Sequence, residues 1–171
     1  MKPLVFLNGP MGVGKSTVAS LLQQKFDRCA YLDGDWCYRV HPFRVTNESK
    51  TLVLRNIAYL LDGYLKSPDV DLVLFSWVMN KREIRDAVLS KMTERGNCLF
   101  VTLTASEGAL RERFTKDIAA GFRTQEGLYR ALSYLPDYKA DFGGLKLITD
   151  EKTPDELAEI IKEYISTYRE D

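Results

Sequence analysis

The sequence predicts an α/β layer fold, a parallel sheet of about five strands with helices on both faces, and three observations predict it. Short apolar runs alternate with longer amphipathic ones along the whole chain, the pattern of strands joined by right-handed helical crossovers. The first strand-to-helix turn is glycine-rich and closes on Lys-Ser, reading Gly9-Pro10-Met11-Gly12-Val13-Gly14-Lys15-Ser16. The chain has 171 residues, with no repeat and no linker rich in Ser or Pro, which suits a single domain spanning residues 1–171.

Leu4–Leu7 reads as a buried strand, and Ser16–Phe26 as the helix after it, with Val18, Leu21, Leu22 and Phe26 on one face. Cys29–Leu32 is a second strand, ending at Asp33. Leu54, Ile57, Leu61 and Leu65 recur at helical spacing and predict a long helix from about Thr46 to Lys66, stopped before Pro68. Val70–Phe75 is a third strand. Asn80, with Glu83 three residues on, predicts a capping box and a helix to about Arg95, ended by Gly96. Cys98–Leu103 is a fourth strand, and Ser106 caps a helix to about Asp117. Ala119-Ala120-Gly121 breaks that pattern, and Thr124–Leu135 resumes it before Pro136. Leu145–Ile148 is a fifth strand. Thr153-Pro154-Asp155-Glu156 then offers an N-cap with Pro at the first helical position. The last helix turns Leu157, Ile160, Ile161, Tyr164, Ile165 and Tyr168 to the core.

Composition excludes several classes. A hydrophobic share of 45% and a charged share of 28% are those of a globular domain rather than a disordered chain. Lys plus Arg (24) balances Asp plus Glu (24), which argues against a nucleic-acid partner. Cys29, Cys37 and Cys98 are odd in number and form no C-x-x-C, so neither a disulfide scaffold nor a zinc site is indicated. The opening Met1–Leu7 is too short for a signal-peptide core, and no run of about 18 apolar residues suggests a membrane span. The expectation is a cytoplasmic protein with no membrane partner, monomeric or homodimeric.

The glycine-rich turn matches G-x-x-x-x-G-K-[ST] in the required context, strand before and helix after. Its glycines allow positive φ, so successive N–H groups converge on phosphate oxygens, and the helix N-terminus adds partial positive charge. Gly9, Pro10, Met11, Gly12, Val13, Gly14, Lys15, Ser16 and Thr17 are therefore the expected ATP-binding residues. Lys15 would reach the β- and γ-phosphates and the Ser16 hydroxyl would ligate Mg²⁺, making ATP and Mg²⁺ the expected cofactors. A bare structural turn would not need this many glycines beside Lys-Ser.

Asp33-Gly34-Asp35 follows the second strand, and ligands in such sheets sit outside the carboxyl ends of the strands. In an extended segment Asp33 and Asp35 share one side, one placed for the metal and one for a substrate hydroxyl. The competing reading is an ordinary Asp- and Gly-rich turn.

Together these residues resemble the small P-loop kinases of the shikimate kinase and gluconate kinase group. His41-Pro42 is similar to the gluconate kinase pattern, though here it follows an inserted Trp36–Val40. The resemblance implies a three-layer P-loop fold with a small helical lid at about residues 114–136, and an ATP-dependent phosphotransferase. It assigns Asp33 to Mg²⁺ and Asp35 to the phosphoryl acceptor. From Leu110-Arg111-Glu112-Arg113 and Gly121-Phe122-Arg123 it places Arg113 on the adenine and Arg123 on the transferring phosphates. The plainer reading pairs Arg111, Arg113 and Lys116 with Glu107, Glu112 and Asp117 on a solvated helix. Asp71 stands at the wrong end of the third strand for a metal ligand, and the other end reads Phe75-Ser76-Trp77. That counts against a motor or AAA-type ATPase.

Asp35, Trp36, Arg39, Arg44, Arg55 and Trp77 fall where an acceptor would sit, with Tyr38, His41, Phe43 and Asn80 nearby. Rings and guanidinium groups there suit a ring or an anionic group. His41 reads as a loop packing residue, and Thr149–Lys152 as a plain loop. The pocket would admit a sugar acid, a nucleoside or nucleotide, or an antibiotic hydroxyl, as in the chloramphenicol phosphotransferases. The expected function is a small-molecule kinase with Lys15, Asp35 and Arg123 as catalytic residues. The alternative is a regulatory ATPase acting through a protein partner.

Overall fold

The centre of the molecule is β1 (Pro3–Asn8), buried at all six positions because helices cover both of its faces. The structure is a computed structural model and describes residues 1–168. β3 (Leu72–Trp77) and β4 (Asn97–Thr104) flank β1, with β2 (Cys29–Asp33) outside β3 and β5 (Leu145–Ile148) outside β4. Every pairing is parallel, so the expected five-stranded sheet is present.

The pleat of β1 divides the core in two, since successive side chains point to opposite faces. Val5 and Leu7 meet α1 (Lys15–Gln24) and α6 (Pro154–Thr167) through Val18, Leu22, Leu157, Ile161 and Ile165. Leu4 and Phe6 meet α2 (Asn47–Lys66) and α3 (Arg82–Lys91) through Ile57, Leu61, Leu65 and Val88. Burying each such Leu or Ile stabilises the fold by roughly 1.5–3 kcal/mol. A third cluster, Phe114, Leu128 and Ala131 with Met11, joins α4 (Glu107–Ala119) and α5 (Gln125–Tyr134) to the glycine-rich turn.

Ser106 and Thr153 cap α4 and α6 through their side chains, as expected, and Thr46 and Thr124, expected as the first residues of their helices, cap α2 and α5. Elsewhere tertiary contacts displace the local expectations. β3 starts at Leu72, not Val70, because the Asp71 N–H donates to the Arg28 carbonyl while the Arg28 side chain pairs with the Asp71 carboxylate. Asn80 does not cap α3; Lys81 holds the cap position without a side-chain bond, and Asn80 donates to Asp137 instead. α3 also ends at Lys91 rather than Arg95, because Asp62 of α2 accepts from the Thr93 N–H and hydroxyl and from the Glu94 N–H. Gly96 is no helix stop; a Cβ there would lie 3.0 Å from the Leu4 Cβ and the Lys2 carbonyl. Tyr168 ends the last helical stripe 43% exposed.

No described helix is long and apolar enough to cross a membrane. The three cysteines form no disulfide among the described residues.

Candidate active site

The glycine-rich turn leaves the carboxyl end of β1 at Asn8, whose buried Oδ1 accepts from the Gly9 N–H (2.7 Å), the Met79 N–H (2.8 Å) and the Tyr138 hydroxyl (3.3 Å). One amide oxygen thus fixes the loop entry, the segment after β3 and the 3₁₀ turn Leu135–Lys139 that follows α5. Gly9 and Gly12 are required by positive φ and by close approach. A Cβ on Gly9 would lie 2.6 Å from the Leu103 carbonyl, and one on Gly12 would enter the Phe114 ring. Gly14 (φ 104°) occupies the cap of α1 with no side chain to bond the first-turn N–H groups, so these stay available to an anion.

Lys15 folds back over the loop, its Nζ donating to the Gly9 carbonyl (2.8 Å) and the Pro10 carbonyl (3.0 Å). Burial pushes its pKa down to about 8, opposed by the charges of Asp35 and Asp33 and assisted by that of Arg123.

Ser16 Oγ donates to Asp33 Oδ2 at 2.9 Å. The Tyr31 hydroxyl (3.2 Å) and Ser76 Oγ (3.3 Å) reach the same oxygen. Burial raises the Tyr31 pKa, the Ser76 hydroxyl opposes the shift and the Asp33 charge adds to it. Asp33 Oδ1 accepts from the Asp35 N–H at 3.0 Å. The expectation of an extended Asp33–Asp35 segment is thereby corrected. Only Asp33 is in the strand; Asp35 lies in a 3₁₀ turn (Gly34–Cys37) that Asp33 itself caps. Trp77 Nε1 donates to Asp35 Oδ1 at 3.1 Å, and its ring lies so close over Gly34 that a Cβ there would meet it at 2.5 Å.

Oxygen donors alone, a hydroxyl and a carboxylate beside a phosphate cradle, fit Mg²⁺, which binds one or two carboxylates plus substrate phosphates and water. Among the described residues no group of three or more His, Cys, Asp or Glu gathers as a self-sufficient metal cage.

Arg113 donates to the Val13 carbonyl (3.3 Å) and to Oγ1 (2.8 Å) and the carbonyl (2.9 Å) of Thr149. Its guanidinium edge thus ties the phosphate loop to the segment after β5. Thr149–Lys152 is accordingly more than a plain loop. Thr149 is buried, and the Asp150 carboxylate accepts from the Ser106 N–H at the start of α4. Arg111 and Lys116 make the surface pairs with Glu107 and Glu112. Arg123 pairs with Asp117 at 2.7 Å and lies over the Phe114 ring, 4.7 Å from its centroid.

Lys15, Ser16, Asp33, Asp35, Trp77 and Arg123 thus converge. Of the remaining acceptor candidates, Trp36 lies in the 3₁₀ turn, Arg39 and Arg44 on the chain between that turn and α2, and Arg55 in α2. Trp36 is exposed and meets Tyr31 edge-on at 5.4 Å. Arg39 and Arg44 are exposed, and Arg55 lines an open groove of about 330 Å³ with Asn47, Glu48, Thr51 and Leu52. Among the described residues these three arginines have no ion pair. His41 is exposed and precedes a cis Pro42. The sequence reading missed Asn8, Tyr31 and Ser76. None has a motif spacing, and only Ser76, at the strand end where an acid was sought, carried a signal.

Comparison with known proteins places this geometry. The family described as AAA domain matches residues 5–124, well over half of the chain. No curated protein sequence matches the chain. Among solved structures, a sugar kinase from Janibacter sp. HTCC2649 superposes with TM-score 0.73 at 18% identity, covering 97% of this chain and 95% of that one. A gluconokinase from Sinorhizobium meliloti 1021 gives 0.68 at 19%, covering 99% and 97%. The Mycobacterium tuberculosis APS kinase, in complex with AMPPNP and APS, gives 0.69 at 19%, covering 96% and 98%. The missing acid on the third strand had counted against an AAA heading. The family description carries that heading, while β3 still ends in Ser76 and Trp77. The chain belongs to the AAA domain family and has the α/β fold of the P-loop small-molecule kinases.

Proposed function

We propose that the protein is an ATP-dependent phosphotransferase that moves the γ-phosphoryl group to a hydroxyl or phosphate of a small acceptor. The observation that carries this reading is the pair of differently held carboxylates at the end of β2. Asp33 is bonded to the phosphate-loop serine, and Asp35 is bonded to an indole on the acceptor side. The kinase names of the structural neighbours support it, and the complex of one of them with AMPPNP supports a nucleotide in the loop.

Residues 1–171 then act as one kinase domain, with about 114–136 as its lid. Lys15 exchanges the Gly9 and Pro10 carbonyls for phosphate oxygens, beside the first-turn amides of α1. Ser16 and Asp33 hold Mg²⁺, which when bound neutralises charge on the phosphates. Asp35 keeps Oδ1 on the Trp77 N–H and accepts the acceptor hydroxyl proton at Oδ2. The acceptor oxygen then bonds to the γ-phosphorus, the bond to the β–γ bridging oxygen breaks, and ADP leaves. Arg123, handed over from Asp117 as the lid closes, stabilises the charge on the transferring group, and closure keeps water out. Arg39, Arg44 and Arg55 would meet an anionic part of the acceptor.

The test is an acceptor screen reading ADP release over sugar acids, nucleosides, nucleoside monophosphates and aminoglycoside- or phenicol-type antibiotics, with Lys15→Ala as the blank. One class should stimulate release in the wild type alone. Slow hydrolysis indifferent to every acceptor, with nucleotide-dependent binding of a protein, would instead support the regulatory reading.

A further inference from the structure

We infer that Tyr31 and Ser76 are positioning residues for the cation side of the site, their hydroxyls holding the Asp33 carboxylate against Ser16 where β3 supplies no acid. This rests on the proposed reading of Ser16 and Asp33 as the Mg²⁺ side.

β2 and β3 are paired so that Asp33 lies beside Ser76. Ser76 is fully buried at the carboxyl end of β3, and among the described residues the only carboxylate bonded to Ser16 comes from the next strand. A lone carboxylate at a strand end is free to rotate, and four contacts prevent it here. Oδ2 meets Ser16, Tyr31 and Ser76 at 2.9, 3.2 and 3.3 Å, and Oδ1 takes the Asp35 N–H. Tyr31 stands two residues before Asp33 on the same strand, hence on the same face, and its ring is braced edge-on by Trp36.

The proton count limits the routes of the support. Tyr31 and Ser76 lie 2.9 Å apart and carry one hydroxyl proton each. With that contact used, the support runs to Asp33 either from Ser76 through Tyr31 or from Tyr31 through Ser76. Neither hydroxyl needs to touch the cation. Partners of this kind, bonded to a metal-binding carboxylate, are worth about 10- to 100-fold in metal affinity.

The test is calorimetric titration of AMPPNP in Mg²⁺ and in EDTA, for the wild type, Tyr31→Phe, Ser76→Ala and Asp33→Asn. The readout is the ratio of the two affinities, which a general loss of stability does not move. Mg²⁺ should tighten wild-type binding and Asp33→Asn should erase that gain. Tyr31→Phe and Ser76→Ala should each cut the gain about 10-fold or more, with affinity in EDTA within about twofold of wild type. If both hydroxyl variants keep the full gain while Asp33→Asn loses it, the inference fails and the reading of Asp33 stands. If Asp33→Asn keeps the gain, the reading of Asp33 fails and the inference with it. An equal loss in EDTA and Mg²⁺ also overturns the inference, because it marks a damaged phosphate loop.

Discussion

Trp77 and Asp35 are 42 residues apart, and a single hydrogen bond between them occupies one carboxylate oxygen, which in the proposed function leaves the other for the acceptor. The indole also covers Gly34, so ring and N–H have separable jobs. Trp77→Phe keeps a ring over Gly34 and frees Asp35 Oδ1. With the acceptor that best stimulates ADP release, kcat should fall about 10-fold or more while AMPPNP affinity stays within a few-fold. An unchanged kcat would mean that the indole does not orient Asp35. At this scale the phosphate loop was legible from sequence because its eight residues are contiguous and each type has a local physical reason. Asn8, Tyr31 and Ser76 were not legible, because what each does depends on an atom supplied by another strand or loop.

Among the elements, the same contrast separates α6 from α3. The α6 cap is closed locally, Thr153 bonding the Glu156 N–H and Glu156 returning to the Thr153 N–H, so four consecutive residues announce it. Around α3, Asn80 turned to Asp137 and Asp62 drew Thr93 and Glu94 out of the helix, two contacts that no window of sequence contains. Burial of Asp62 opposes its ionisation, but the Thr93 and Glu94 N–H groups, the Thr93 hydroxyl and Lys66 outweigh it and hold its pKa below the ordinary value. A folded pKa below the unfolded one contributes stability that is present above the unfolded pKa and lost as pH falls through the folded one. Asp62→Ala should therefore cost about 1 kcal/mol at pH 7 in urea melts, discounted for its partial exposure. The gap to wild type should close as pH drops below about 4. A gap of constant size across that range would contradict the assignment.

Across the whole molecule, the alternation of strands and helices fixed the fold class, while the strand order β2-β3-β1-β4-β5 emerges only from the packing. That order sets the glycine-rich loop on the central strand, with Asp33 and Asp35 on one side and the α4–α5 pair on the other. The α4–α5 pair, the lid of the proposed function, is joined to the loop directly, through Phe114 against Gly12 and Met11 in the Phe114–Leu128 cluster. Arg123 is held at that junction by Asp117 and the Phe114 ring, and the proposed function turns it to the phosphates. Arg123→Ala should lower acceptor-stimulated turnover by about 10²-fold or more and leave AMPPNP affinity within a few-fold. Equal losses in both would make Arg123 a nucleotide-binding residue rather than a group acting on the transferring phosphoryl.

All of these assignments require a triphosphate seated between the α1 amides and Lys15. Calorimetric titration of ATP with Mg²⁺ into the wild type and Lys15→Ala tests this most directly. The account predicts saturable one-to-one binding by the wild type, weakened at least about 10-fold in Lys15→Ala by loss of a charge-assisted phosphate contact. A wild type that takes up no ATP, or a Lys15→Ala protein that binds it equally well, would contradict it.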